Sequence, residues 1–285
     1  MRDGWPSLTA LAVAVARGIG TAPGDYDDSA ADLVPDPIGP VLRWVGRSGA
    51  PSGVRTALRV ATLGLVDHVS LRRAEIDAAL HEAVEAGTGQ LVVLGAGLDG
   101  RAWRLPSLQN VTVFEVDHPA TQAGKRQRAT RRHRLASEVH FVAVDFERDS
   151  VAERLADAGH DAEQPTVWIW EGVTPYLHHE AIEASLSDVA QRSAPGSRLI
   201  VSYAIPQLVV GGGRAVDAIT EAGFSVLGEP LHGAITTDDF VQMLGRYGFA
   251  VQADSDNRQW AQRHEGNATL ARLFWAERLM VAERR

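Results

Sequence analysis

Three carboxylates and one glycine turn follow apolar segments of the chain, at the points where those segments end. Gly95-Ala96-Gly97 comes directly after the apolar run at 91–94, and Asp117, Asp145 and Glu171 follow three later segments. Open α/β sheets bind ligands at the carboxyl ends of their strands, where glycines let backbone N–H groups approach a ligand closely. A carboxylate there can also cap the next helix. Because all three acids share this position, the pattern favours a site for a nucleotide-like cofactor.

The three acids suit different parts of such a cofactor. Asp117, after the second segment, is placed to accept hydrogen bonds from both ribose hydroxyls. Asp145 and the backbone N–H that follows it match the amino group and a ring nitrogen of adenine. Glu171 would lie nearer a cationic end. S-adenosylmethionine carries an ammonium and a sulfonium, so this set favours it over a dinucleotide.

A dinucleotide is the alternative, because Gly95, Gly97 and Gly100 also match the G-x-G-x-x-G pattern. Asp117 lies about where an NAD fingerprint has its acid. Two observations weigh against NAD. A helical segment precedes the motif, and no Tyr-x-x-x-Lys pair for hydride transfer follows it, since Lys125 is the only lysine and has no such partner.

The strands and helices that must position these groups alternate from Gly89 onward. Strands are predicted at 91–94, 111–116, 139–144, 166–170, 198–203, 249–253 and 273–281. Helices are predicted at 119–134, 150–158, 179–192 and 238–246. This alternation is typical of α/β proteins with a parallel sheet and helices on both faces.

Two regions fall outside this alternation. Residues 1–88 predict a helical cap that belongs to the same domain as the core at 89–285. The cap includes an amphipathic helix at 8–19, which is too short and too interrupted for a signal peptide or a membrane span, and a better helix from 71 to about 86. Residues 204–237 break the pattern, and we expect them to form a lid insertion over the pocket.

The composition limits the possible function classes. The chain has 285 residues, is 45% hydrophobic and carries a formal net charge of −8, which argues against a nucleic-acid partner. It contains no cysteine, so disulfides, thiolate catalysis and zinc–thiolate sites are excluded. We expect a cytoplasmic enzyme that acts on a small-molecule substrate, without a membrane partner and without a metal site.

Three motifs resemble one known family. Leu94-Gly95-Ala96-Gly97-Leu98-Asp99-Gly100-Arg101, Phe114-Glu115-Val116-Asp117-His118-Pro119 and Glu171-Gly172-Val173-Thr174-Pro175-Tyr176-Leu177 are similar to those of the leucine carboxyl methyltransferases and their bacterial relatives. The relatives include carboxyl and hydroxyl O-methyltransferases of polyketide pathways. The resemblance implies S-adenosylmethionine as cofactor and a class I methyltransferase (Rossmann-like) α/β fold, in which the last strand of a seven-stranded sheet is antiparallel.

The resemblance also implies a set of cofactor-binding residues. They are Arg72, Gly95, Ala96, Gly97, Asp117, His118, Asp145, Phe146, Glu171 and Gly172. Arg72 should pair with the carboxylate of the cofactor, a task that suits the bidentate guanidinium, although the adjacent Arg73 is an alternative. The sequence departs from the family at Gly100, where threonine is usual, and at Trp168 and Trp170, which either fill the core or edge the pocket and stack on a substrate or on the sulfonium.

The implied reaction is methyl transfer to an oxygen of a secondary metabolite. A carboxylate acceptor is ionised at pH 7 and needs no base, whereas a hydroxyl acceptor would use one. His232, in the expected lid, and Tyr203, after the fifth strand, are the candidate catalytic residues; His118, His178, His179 and Tyr176 are further candidate bases. The alternatives are a methyltransferase fold with a changed reaction, such as a cyclase or a binding protein, a methyltransferase of protein carboxyl groups, and an NAD oxidoreductase.

Overall fold

The computed structural model describes residues 7–21, 25–46, 52–206, 232–267, 274 and 276–285. The helices are α1 (Leu8–Ile19), α2 (Ala30–Leu33), α3 (Ile38–Gly46), α4 (Ser52–Ala61), α5 (Leu65–Glu85), α6 (Arg101–Arg104), α7 (Pro119–Ala129), α8 (Val151–Asp157), α9 (His179–Gln191), α10 (Thr237–Arg246) and α11 (Asn257–Arg263). The strands are β1 (Gln90–Leu94), β2 (Thr112–Asp117), β3 (Glu138–Ala143), β4 (Thr166–Trp170), β5 (Arg198–Ala204), β6 (Phe249–Asp256) and β7 (Glu277–Arg284).

The seven strands form one sheet in the order β3-β2-β1-β4-β5-β7-β6. Strands β1 to β5 are parallel, and β7 runs antiparallel between β5 and β6. The predicted class I methyltransferase fold with an antiparallel last strand is therefore confirmed. Leu94 pairs with Val116 on one side and with Trp170 on the other, so the ends of β1, β2 and β4 meet along one edge of the sheet.

The sheet has an apolar core on each face, because successive strand residues point to opposite sides. Val93 and Ile169 pack with the cap helices in one core, whereas Val92, Trp168 and Trp170 belong to the other. Both tryptophans are fully buried, and neither lines the cavity described below. They fill the core, and neither edges the cavity formed by the described residues.

A buried ion pair joins α7 to the middle of β2. The Lys125 Nζ lies 2.7 Å from the Glu115 Oε2, and both side chains are 1% exposed. The amine also lies over the Trp103 ring, 5.6 Å from its centroid. A pair of this kind fixes how α7 packs on the sheet, because removing either partner leaves a buried charge without compensation.

The helical cap is fastened by an arginine from its fourth helix. Arg55 donates from Nη1 to the Ile19 carbonyl at 2.9 Å and from Nη2 to the Val45 carbonyl at 3.0 Å. It thereby satisfies carbonyls at the carboxyl ends of α1 and α3, which have no partners inside their own helices. The helix predicted from Leu71 begins earlier, at Leu65, because the preceding turn is buried and Gly64 supplies the left-handed cap at φ 84°.

Three further elements differ from the sequence prediction. Helix α7 ends at Ala129 rather than at 134, and α11 was not predicted. Strand β7 begins at Glu277 rather than at 273, and residue 273 lies outside the described residues. Most of the expected lid, residues 207–231, also lies outside them. Within the described ranges, no helix has both the length and the apolar character needed to cross a membrane.

Candidate functional site

A cavity of about 460 Å³ lies at the carboxyl ends of the parallel strands. All ten residues that the resemblance assigns to the cofactor line it, and they come from α5 and from the segments after β1 to β4. Helix α1 covers the cavity with Ala10, Val13 and Arg17, which share one face of the helix at the spacing i, i+3 and i+7. The site is therefore assembled from distant parts of the chain.

The glycine turn after β1 has a separate reason for each glycine. Gly95 has φ 67°, and a Cβ there would lie 2.2 Å from the Val173 Cγ2. Gly97 has φ 47°, and its N–H donates to the Asp117 carboxylate. Gly100 has no ligand-binding role in this arrangement: a Cβ there would lie 1.8 Å from the Ser29 Oγ of the cap. Close packing of the cap therefore explains why the chain has a residue without a side chain at position 100.

Asp117 is held by backbone amides on both carboxylate oxygens. Its Oδ2 accepts from the Gly97 N–H, and its Oδ1 accepts from the His118 N–H at 2.6 Å. Burial raises the pKa of Asp117, while these two hydrogen bonds act in the opposite direction. The His118 ring caps α7, since Nδ1 accepts from the Ala120 N–H at 3.2 Å. The carboxylate is thus fixed at the cavity and keeps lone pairs for a ligand.

Asp145 and Phe146 line the other side of the cavity, after β3. The Asp145 Oδ1 accepts from the Glu147 N–H at 3.1 Å, and the Asp145 N–H donates to the Asp149 Oδ2 at 2.9 Å. Asp145 therefore does form the local turn that a carboxylate at a strand end often forms. Asp145 lines the cavity as well, so forming the local turn is compatible with the predicted contact to a ligand.

Glu171 is bound by two arginines, one on each oxygen. The Arg72 Nε donates to Oε1 at 3.0 Å, and the Arg101 Nη2 donates to Oε2 at 2.9 Å. Burial disfavours the charged carboxylate, but Arg101 and Arg72 outweigh burial and hold the pKa of Glu171 well below its ordinary value. Glu171 therefore stays ionised, and its position is fixed from two directions.

Arg101 was not predicted as a site residue. It is 1% exposed and also binds Asp77 from Nε at 2.8 Å and Asp99 from Nη1. These contacts connect the start of α6, helix α5 and the end of β4. The sequence feature that could have identified Arg101 is the charged pair Asp99 and Arg101. The pair comes directly after the glycine turn, where both residues must be close to the sheet.

The structure separates the two adjacent arginines of α5. Arg72 lines the cavity, and its Nη1 also binds the Glu277 Oε1 at 2.6 Å. Arg73 points to the cap instead and binds the Asp25 side chain at 2.5 Å. The preference for Arg72 over Arg73 thus agrees with the geometry.

Arg17 is a second cavity arginine that the sequence prediction missed. It is 5% exposed and donates from Nη2 to the Leu98 carbonyl at 2.9 Å. Its Nε is buried and has no hydrogen-bond partner among the described residues. Such an orphaned donor, beside the glycine turn and Arg72, suits a ligand with an anionic group. The sequence feature that could have identified Arg17 is its position on the apolar face of α1, a helix that the sequence analysis assigned only to packing of the cap.

Neither of the two predicted catalytic residues is among the described residues that line this cavity. The Tyr203 hydroxyl donates to the Asp254 Oδ1 at 3.0 Å and lies 2.9 Å from the Thr237 Oγ1. Burial, together with Asp254, raises the pKa of Tyr203 to about 12. Through these hydrogen bonds Tyr203 joins β5 to β6 and α10.

His232 is exposed and lies over the turn that follows β4. Its backbone N–H donates to the Pro175 carbonyl at 2.8 Å, and its ring stacks on His178 with 4.3 Å between centroids. Tyr176 and Leu177 of the same turn line the cavity. His232 is therefore close to the rim, and it is not among the lining residues that the structure describes.

The donors and acceptors of the cavity fit S-adenosylmethionine. The Asp117 carboxylate lies beside Ala10 and Gly97, whereas Arg17, farther along α1, and Arg72 of α5 supply guanidinium groups. Ala10 and Arg17 are separated by about 10 Å along the helix axis. The cavity thus holds a carboxylate and two guanidinium groups in one space, whose volume is in the range of small-ligand sites.

A mixed sheet of this order, with a cofactor-sized cavity at the switch point after β1, defines a methyltransferase of class I architecture. Comparisons with known proteins agree. The family model described as leucine carboxyl methyltransferase matches residues 10–190. A Saccharopolyspora erythraea protein named as a candidate S-adenosyl-L-methionine-dependent methyltransferase is 35% identical over 250 residues, which is 87% of this chain and 84% of that protein.

Solved structures with the same fold have low sequence identity. A DUF574 family protein from Streptomyces avermitilis aligns with a TM-score of 0.61 at 14% identity, covering 95% of this chain and 100% of that one. Magnesium protoporphyrin IX methyltransferase from Synechocystis, solved with bound S-adenosylhomocysteine, aligns with a TM-score of 0.51 at 15% identity, covering 78% and 87%. These two likenesses concern the fold.

The chain belongs to the leucine carboxyl methyltransferase family. The predicted family and fold class are therefore confirmed, and the names of the relatives bear out S-adenosylmethionine as the cofactor. The NAD alternative is excluded by the same match.

Proposed function

We propose that this protein transfers the methyl group of S-adenosylmethionine to an oxygen atom of a small molecule, a carboxylate or a hydroxyl of a secondary metabolite. The observation that carries the proposal is the convergence of ten cofactor residues from separate segments on one cavity of about 460 Å³. A cavity of this size suits a small ligand.

Each part of the cavity is assigned to a part of the cofactor. Asp117 accepts the ribose hydroxyls, and Asp145 with Phe146 flanks the adenine. Arg72 and Arg17 bind the carboxylate, because the Arg72 Nη2 makes no hydrogen bond within the described part of the chain and the Arg17 Nε is buried without a partner. Glu171 accepts the ammonium, since each of its oxygens uses one lone pair for an arginine and keeps another.

When bound, S-adenosylmethionine supplies a methyl group that is already activated by a sulfonium. The protein's residues align the acceptor with that group and exclude water. Alignment of this kind contributes roughly 7–11 kcal/mol to catalysis. Helix α1, held over the cavity by the hydrogen bond from Arg17 to Leu98, provides the cover that shields the reacting atoms.

A carboxylate acceptor agrees best with the described lining residues. The only imidazole among them is that of His118, whose Nδ1 accepts from the Ala120 N–H. A carboxylate at pH 7 needs no general base. For a hydroxyl acceptor, Tyr176, which lines the cavity, and His232 beside the same turn are candidate bases.

The test has a binding step and a transfer step. Calorimetry should show binding of S-adenosylmethionine and S-adenosylhomocysteine, and we expect Asp117→Asn to weaken both by ~10-fold or more, because the lost hydrogen bonds involve a charged group. Unchanged affinity in Asp117→Asn would refute the ribose assignment.

The transfer step uses cofactor with a labelled methyl group and panels of small carboxylic acids and of hydroxylated compounds. A methyl ester releases labelled methanol in mild alkali, whereas a methyl ether does not, so alkali treatment identifies the acceptor. Label found only on nitrogen or sulfur would contradict O-methylation. Tight cofactor binding without transfer to any acceptor would support the alternative of a changed reaction.

A further inference from the structure

Glu277 lies behind the arginine that faces the cavity. It is the first residue of β7 and pairs with Ala204 at the end of β5. Its Oε1 accepts from the Arg72 Nη1 at 2.6 Å, and its Oε2 lies 2.5 Å from the His68 Nε2. His68 and Arg72 are four residues apart on α5 and therefore share one face of the helix. Both carboxylate oxygens of Glu277 are thus bound to side chains from one turn of α5.

These contacts leave Arg72 a single orientation. Its Nε is held by Glu171 and its Nη1 by Glu277. A guanidinium is planar, so two fixed nitrogens also fix the third. The Arg72 Nη2 then lies near Gly172, 3.8 Å from the position a Cβ would take there, and Gly172 lines the cavity. The remaining donor is thus directed at the cavity by Glu171, which lines the cavity, and by Glu277, which does not.

We infer that Glu277 and His68 are positioning residues for Arg72, which they align for the carboxylate at the methionine end of the cofactor. The inference rests on the proposed function, because that function assigns the carboxylate to Arg72. Neither residue belongs to the motifs that carried the resemblance, and neither lines the cavity among the described residues.

The state of His68 agrees with this role. Its ring stacks on Phe274 with 4.7 Å between centroids and lies 5.9 Å from the Trp260 ring. The charged groups that face it are Glu277, Arg72 and Glu171. Burial lowers the pKa of His68, and Arg72 acts in the same direction, although both carboxylates oppose the shift.

The hydrogen-bond partners of the ring identify the tautomer. The His68 Nδ1 is buried and has no partner within the described residues, so a proton there would be an unsatisfied donor. The neutral ring with its proton on Nε2 fits, because Nε2–H then donates to Glu277. Glu277 itself stays ionised: burial raises its pKa, but Arg72 and His68 outweigh burial and bring it to about 2.

The test compares two nucleosides that differ at the methionine end. S-adenosylhomocysteine carries the carboxylate, whereas 5′-methylthioadenosine lacks it. We expect Glu277→Gln to weaken S-adenosylhomocysteine binding by ~10-fold or more and to leave 5′-methylthioadenosine binding within about twofold. Asp254→Asn is the matched control, because Asp254 binds Arg278, the neighbour of Glu277 on β7, and has no contact with Arg72. It should bind both nucleosides like the wild type.

Two further variants keep the test decisive if Glu277→Gln does not fold. His68→Gln keeps an N–H donor near the position of Nε2, and we expect wild-type binding. His68→Leu removes the donor, and we expect selective loss of S-adenosylhomocysteine affinity.

Three other outcomes have defined meanings. Equal weakening of both nucleosides in the variants, or no weakening of either, overturns the positioning role while the proposed function stands. A wild type that binds neither nucleoside overturns the proposed function itself.

Discussion

Glu171 and Glu115 are both buried carboxylates of the central sheet region, and their surroundings differ. Glu171, just after β4, is bound by Arg72 and Arg101 on its two oxygens. Glu115, inside β2, has the amine of Lys125 as its cationic partner. Burial raises the pKa of Glu115 to about 7, although Lys125 opposes it. Two arginines, by contrast, hold the pKa of Glu171 well below its ordinary value despite burial.

The difference shows what each assembly can do. The arginine–carboxylate network stays ionised, and Arg72 and Arg17 retain donors toward the cavity, so it can recognise a ligand with both charges. The pair of Glu115 and Lys125 is a closed unit that has no contact with the cavity and serves the packing of α7 on β2. Burial of charge alone therefore does not identify a functional site; unused donors at a cavity do.

The strongest test removes the centre of the network. Arg101→Met removes a buried guanidinium and leaves Asp77, Asp99 and Glu171 with one partner fewer each. We expect a loss of about 3–5 kcal/mol in the free energy of unfolding, which is typical when a buried ion pair is broken on one side. Urea denaturation of wild type and variant at pH 7 measures it. A loss under ~1 kcal/mol would show that the network contributes little to the fold.

Removing the cationic partner of Glu115 should lower the free energy of unfolding by less than Arg101→Met does. In Lys125→Met, Glu115 loses its partner but can take up a proton near neutral pH, because its pKa is already about 7 in the wild type. We expect about 1–3 kcal/mol of destabilisation, and recovery of most of it in Lys125→Met/Glu115→Leu, where no buried charge remains. If the single variant lost more stability than Arg101→Met, the comparison between the two assemblies would be reversed.

The smallest expected effect is a pH dependence. The pKa of Glu115 is raised from 4.5 in the unfolded chain to about 7 in the folded one. Its contribution to stability is therefore fully present below about pH 4.5 and is lost as the pH rises through 7. Glu115→Gln removes this titration. The stability difference between wild type and variant should thus shrink by on the order of 1–2 kcal/mol between pH 5 and pH 8. A constant difference would contradict the raised pKa.

Local sequence patterns were sufficient to predict the fold and many of the residues that line the cavity. Strand β4 was predicted with its observed bounds, Thr166–Trp170, because a short apolar run buried on both faces leaves little ambiguity. Asp117 was predicted from its place after a strand, and the ten residues predicted to bind the cofactor, all of which line the cavity, share that kind of local signal or a family motif.

The parts that were missed depend on tertiary contacts. Arg17 interrupts an apolar helix face, and only the packing of α1 on Leu98 shows that it reaches the cavity. Glu277 follows Arg72 by 205 positions in the chain, and no spacing rule links them. Gly100 has an ordinary backbone, and only the position of Ser29 explains the absence of a side chain there. In each case the partner is brought near by folding rather than by the local sequence.

The burial of Lys125 has a practical consequence for chemical labelling. It is the only lysine of the chain, and its amine is enclosed against Glu115 and Trp103. Acylating reagents that target lysine therefore find none at the surface of the folded protein. A label on the Lys125 side chain therefore reports that α7 has separated from the sheet.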